Sequence, residues 1–143
     1  KTMKQVILSG AKHDVGNSNF MFVEKEENLS DFGHNLLAKF QDRLDKYGDA
    51  AFRDLQLTDQ KLTLFLRAAI KKPEILILDE AFSCMDDANV MHRCHELVNS
   101  WNDMTVLSIG HIDWELPRCD YVLKLEGGGR PARVEELIQA GDS

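Results

Sequence analysis

The segment Ile75-Leu76-Ile77-Leu78-Asp79-Glu80 decides how the chain is read. Four consecutive apolar residues without period-two alternation describe a strand covered on both faces, the condition of strands in a parallel sheet. The carboxylates that close it then lie at the C-terminal sheet edge, where open α/β folds bind ligands. In nucleotide hydrolysis the first can hold magnesium through water, and the second, projecting to the other side, can orient and deprotonate the attacking water. A strand that simply ends at a polar loop shows the same six residues, so the neighbours have to decide.

Downstream of Asp86, Val90, Cys94, Leu97, Val98 and Trp101 share one helical face, and Thr105-Val106-Leu107-Ser108-Ile109 reads as a second strand buried on both faces. Strand, helix, strand is the βαβ unit, so the two strands are expected as adjacent parallel neighbours. Tyr121 to Leu125, the turn Gly127-Gly128-Gly129, and Pro131 to Val134 suggest a hairpin, followed by a short helix from about Glu135 to Ala140. Upstream, Leu62, Phe65, Leu66, Ala69 and Ile70 predict a helix over 59–72, capped by Thr58 or Asp59 and ended by Pro73. A further helix opens at Ser30 or Asp31, carries Leu36, Leu37, Phe40, Leu44 and Tyr47 on one face, and stops at Gly48. Val6-Ile7-Leu8-Ser9 reads as a short buried strand, and Phe20-Met21-Phe22-Val23 as a second apolar run after the turn-rich residues 10–19.

Composition narrows the classes. Of 143 residues, 43% are apolar and 29% charged, which excludes intrinsic disorder. No apolar run approaches the roughly 18 to 20 residues of a membrane span. The formal charge of -7 argues against a polyanion-binding surface, and no nucleic-acid partner is expected. Three cysteines without CxxC spacing disfavour a disulfide framework and suit a reducing, cytoplasmic compartment. The first residues are too short an apolar run for a signal peptide, and the missing initiator Met suggests a chain processed or excised from something longer.

Residues 57–86, LTDQKLTLFLRAAIKKPEILILDEAFSCMD, followed by VLSIGH at 106–111, resemble the C-terminal half of the ATP-binding cassette (ABC) ATPase domain. That half runs from a signature helix through a Walker B strand with its Glu and a D-loop to a switch His after the next strand. Residues 119–130 and 134–137 are similar to its final hairpin and last short helix, so the resemblance covers roughly residues 55–138. It is most like soluble, molybdate-transport-related cassettes, especially fungal ones. It implies an α/β fold with the parallel-sheet core of a P-loop NTPase over 55–138, preceded over 1–54 by an N-terminal strand and loop and a partial helical subdomain, and a C-terminal β-hairpin.

The resemblance also implies roles. Asp79 is the Walker B aspartate that holds Mg2+ through water, Glu80 the catalytic glutamate, and His111 the switch histidine at the γ-phosphate. Ser83-Cys84-Met85-Asp86 is the D-loop, contributing Ser83 and Asp86 as cofactor contacts. The family signature Leu-Ser-Gly-Gly-Gln falls on residues 55–59, with Gln56 at the serine and Thr58 at the second glycine. Gln56 and Thr58 are thus the candidate signature contacts, although side chains at Leu57 and Thr58 obstruct the close approach that glycines permit. The implied cofactors are ATP and Mg2+, and the implied partner is a second cassette, in cis or as a homodimer.

Two further departures stand out. The string nearest a phosphate loop, residues 10–18, has one residue too many between its glycines and Asn17 where the lysine belongs. Lys25 stands where the family's Q-loop glutamine falls. The leading expectation is an ATPase that binds and hydrolyses ATP in a longer protein, with its phosphate loop upstream. The alternative is a degenerate cassette serving as a regulatory or dimerising module. A head domain of a DNA-repair ATPase shares the motifs, but the charge and the lack of a heptad run oppose it.

Overall fold

The computed structural model describes residues 1–14, 20–23, 25–110 and 119–136. The backbone divides into two compact units, Lys1–Ile109 and Gly110–Ser143.

In the first unit the chain opens as helix α1 (Met3–Leu8), where three apolar residues had suggested a strand. The reason is a capping box: Thr2 accepts the Gln5 N–H at 3.2 Å, and the Gln5 side chain accepts the Thr2 N–H at 2.9 Å. Strands β1 (Lys12–Asp14) and β2 (Phe20–Phe22) pair antiparallel. Helix α2 (Asp31–Ala38) starts at the Ser30 cap, whose hydroxyl accepts the Gly33 N–H. The single helix expected up to Gly48 is broken at Lys39-Phe40, and α3 (Gln41–Tyr47) resumes beyond it. Phe40, at φ -126°, caps α3 and is fully buried, so burial of its ring takes precedence over an unbroken backbone ladder.

Helix α4 (Leu57–Ala69) begins two residues earlier than expected, with Gln56 as its N-cap. Leu62, Phe65, Leu66, Ala69 and Ile70 are all buried, as their spacing predicts. Gly10 lets α1 meet α4: a Cβ there would lie 2.0 Å from the Arg67 carbonyl oxygen. The Gly10 and Ala11 N–H groups donate to the Ile7 and Leu8 carbonyls as the helix ends, so the start of the phosphate-loop-like string follows a helix, not a strand.

Strand β3 (Ile75–Asp79), helix α5 (Ala88–Ser100) and strand β4 (Thr105–Ile109) form the βαβ unit, with β3 and β4 parallel and Ile75 opposite Thr105. Burial on both faces is not observed. Leu76 and Leu78 are buried against the core, whereas Ile75 and Ile77 are 63% and 61% exposed and Leu107 and Ile109 are half-exposed. Within the described residues the sheet has two strands and one covered face. Trp101, at the end of α5, packs between Phe32 and Phe65, and Phe82 meets Phe65 edge-on at 5.1 Å.

In the second unit β5 (Tyr121–Lys124) and β6 (Arg133–Glu136) form the expected antiparallel hairpin. Gly127, Gly128 and Gly129 all have positive φ. Glu135 and Glu136 belong to β6 rather than to the expected helix, whose remaining residues lie outside the described ones.

Candidate functional site

The turn after β3 is held from three sides. Glu80 leaves the strand with φ +48°, a left-handed conformation uncommon for a residue with a side chain. Its N–H donates to the carbonyl of Ile109 at 2.7 Å, which ties the turn to the last residue of β4. Its carbonyl accepts from the Ser83 N–H at 3.2 Å, from Ser83 Oγ at 2.8 Å, and from Lys61 Nζ of α4 at 3.0 Å. Lys61 also donates to Ser83 Oγ at 3.1 Å. With this backbone fixed, Asp79 and Glu80 are both exposed at the C-terminal end of β3. They border a cleft of about 380 Å3 between α4 and β3, lined also by Leu57, Lys61, Leu64 and Ile77.

The far end of the turn meets the start of α4. Thr58 donates its hydroxyl proton to the Asp86 carboxylate and accepts the Asp86 N–H at 3.2 Å. Thr58 is buried and Leu57 is half-exposed. The next residue, Asp59, is buried and bound twice by the Arg43 guanidinium, at 2.9 Å from Nε and 2.8 Å from Nη2. Burial opposes the charge on Arg43, but the hydrogen bonds and charge of Asp59 outweigh it and raise the pKa above the ordinary arginine value. Arg43 also reaches Asp87 at 3.3 Å, and Asp87 caps α5 by accepting the Asn89 and Val90 N–H groups. One guanidinium thus joins α3, α4 and α5.

Of the residues picked from the sequence, Asp79, Glu80 and Ser83 stand together on one turn, and Thr58 meets Asp86. Gln56 is the exposed N-cap of α4 and makes no side-chain capping bond. His111 lies outside the described residues. Sequence reasoning missed Lys61 and Arg43, whose partners lie 16 to 44 residues away, and it named Asp59 only as a helix cap and signature position. Asp87 did carry a local signal, an Asp directly before an amphipathic run.

Asp79 and Glu80 present hard oxygen donors, which suit magnesium. Among the described residues no three His, Cys, Asp or Glu side chains converge as a metal site. Two carboxylates supply only part of the oxygen shell that magnesium takes. On α5, His92 faces Glu96 at 3.1 Å, while burial pushes the Cys94 thiol up to about 12.

The chain is 40% identical over 120 residues to an uncharacterized ABC transporter ATP-binding protein of Saccharomyces cerevisiae, a match spanning 82% of this chain and 22% of the yeast protein. The chain's homologues are ABC transporter ATP-binding proteins. The ABC transporter ATP-binding protein ModF of Escherichia coli is 29% identical over 123 residues, 82% of this chain and 24% of ModF. Antigen peptide transporter 2 of Homo sapiens is 34% identical over 98 residues, 65% of this chain and 13% of that protein. The chain thus spans about a fifth to a quarter of the yeast protein and ModF, the two relatives it matches over 82% of its own length. No family model matches. No described helix of this chain is long and apolar enough to cross a membrane.

Proposed function

We propose that this chain supplies the Walker B half of an ATP-hydrolysing cassette, with residues 55–138 as its catalytic core and 1–54 as part of the helical subdomain. The observation that carries the reading is the exposed Asp79-Glu80 pair at the end of a parallel strand, its backbone bonded to β4 through Ile109. Asp79 holds Mg2+ through water. Glu80 orients the attacking water and accepts its proton at the side-chain carboxylate, and His111, two residues beyond Ile109 in sequence, contacts the γ-phosphate. Ser83, Asp86 and Gln56 belong to the surfaces that meet nucleotide and a second cassette, in cis or as a homodimer, whereas Thr58, buried on Asp86, supports them from beneath. Magnesium, when bound with ATP, neutralises charge on the phosphate oxygens.

In the longer protein Glu80→Gln preserves size and removes the base, so nucleotide binding survives while turnover falls by roughly two orders of magnitude or more. Asp79→Asn instead weakens magnesium-dependent nucleotide binding. Unchanged turnover in both Glu80→Gln and His111→Ala would remove the catalytic reading. The degenerate, non-hydrolysing module would then replace it. One observation favours that second reading: Thr58 and Asp59 at the signature position are buried and already committed to Asp86 and Arg43.

A further inference from the structure

We propose that Lys61 is a positioning residue for Glu80, transmitting the placement of α4 to the carboxylate that prepares the attacking water. The proposal rests on the reading of Glu80 given above.

The Glu80 peptide is the fixed point of the site, and its two ends are held by different parts of the fold. The N–H end belongs to β4 through Ile109. At the carbonyl end two of the three donors, the Ser83 N–H and Ser83 Oγ, come from the same turn. The third, Lys61 Nζ, comes from α4, and it closes a ring by also donating to Ser83 Oγ. An ammonium on a carbonyl is a charge-assisted bond, stronger than the neutral bonds around it. It acts on a residue at φ +48°, a left-handed conformation that a side-chain-bearing residue keeps only where its surroundings enforce it.

Lys61 lies one helical turn beyond Thr58, so the two residues share a side of α4. Thr58 grips the turn at Asp86, and Lys61 grips it at Glu80 and Ser83. A rotation or shift of α4 cannot leave both contacts in place without moving the peptide from which the Glu80 carboxylate projects. Among the described residues Lys61 Nζ bonds to the Glu80 carbonyl oxygen and the Ser83 hydroxyl, so its effect on chemistry runs through Glu80. A displacement of about 1 Å at a reacting group can cost 100-fold in rate.

The test uses the longer protein, with ATP turnover and nucleotide affinity measured for Lys61→Met, Lys61→Arg and Glu80→Gln. Lys61→Met keeps the stem and removes the donors, and kcat is expected to fall about 10-fold or more while KM and nucleotide affinity stay within about twofold. Lys61→Arg restores charge and donors and should recover much of kcat. If Glu80→Gln abolishes turnover but Lys61→Met keeps wild-type kcat, the positioning role alone is overturned. If Glu80→Gln turns over normally, the reading of Glu80 falls and takes this proposal with it. Parallel losses in affinity and kcat, with no rescue by Arg, would mean a merely structural role and overturn it as well. Should Lys61→Met fail to fold, Lys61→Gln keeps a polar side chain too short to reach the Glu80 carbonyl: reduced kcat at unchanged affinity supports the proposal, and unchanged kcat overturns it.

Discussion

Thr58 and Asp86 hold each other twice, the threonine hydroxyl donating to the carboxylate and accepting the aspartate's N–H. Thr58 is therefore a clasp that fastens α4 to the turn after β3. Thr58→Val keeps the shape and deletes both bonds, leaving the Asp86 N–H without this acceptor. The expected cost is about 1 to 3 kcal/mol in urea unfolding, with Thr58→Ser keeping most of the stability. A Val variant as stable as the parent would show that the clasp contributes nothing.

Arg43 and Asp59 form the buried ion pair of the same junction. Arg43→Met leaves the Asp59 carboxylate enclosed without its partner and should destabilise by about 3 to 5 kcal/mol. Adding Asp59→Leu removes the orphaned charge and should recover a large part of that loss. The double-mutant cycle measures the coupling, and additive effects would contradict it.

Asp42 gives a pH signature. Its hydrogen bond to Arg93 lowers the carboxyl from its ordinary 3.8, against the opposing effect of burial. A lowered folded pKa means that the pair stabilises the fold above pH 3.8 and that this stability is lost as pH falls through the lowered value. Asp42→Asn should flatten the stability profile below about pH 4 and leave its slope near neutrality unchanged. Asp42 is largely exposed, so the effect is small and shrinks with added salt.

The two cysteines that flank α5's start differ sharply. Cys84 is exposed, whereas Cys94 is buried with its thiol pushed up to about 12. At pH 8 a thiol reagent should label Cys84 in the folded chain and reach Cys94 only on unfolding. Peptide mapping that finds both labelled at the same rate would contradict the burial of α5's inner face.

The 143-residue chain alone should show no appreciable ATPase activity and bind ATP no better than about millimolar, because the described part of its glycine-bearing string spends its amides on ending α1. Micromolar binding by calorimetry would restore residues 10–18 as an irregular phosphate loop.

Much of the central fold could be read from sequence because it rests on local signals. The stripe from Leu62 to Ile70 gave α4's buried face, and the apolar runs at 75–78 and 105–109 gave a parallel pair. What failed depended on context. A continuous apolar run reports that a strand can be buried on both faces, and the exposed Ile75 and Ile77 depend on which neighbours are present. Three apolar residues at 6–8 have no period to distinguish helix from strand, although the capping box at Thr2 and Gln5 was there to be used. Thr58 looked like a helix cap because of its residue type, but its hydroxyl is drawn 28 residues along the chain to Asp86. In the site, the carboxylates could be read as chemistry, whereas Lys61 and Arg43 act through long-range contacts that no spacing announces.

The pairing of Ile75 with Thr105 also sets an order of events during synthesis. β3 is complete about thirty residues before its partner has been made. At typical synthesis rates of about 5 to 20 residues per second, its apolar residues wait roughly two to six seconds for β4. Meanwhile the helices that precede β3 can begin to assemble through their mutual contacts and take Leu76 and Leu78, before Asp86, Asp87 and Trp101 arrive to complete the junction. Ile75 and Ile77 have no such early refuge. The same alternation that gives the strand an inner and an outer side leaves Ile75 and Ile77 exposed even after β4 has paired, so chaperone contact on the emerging chain is expected to concentrate there.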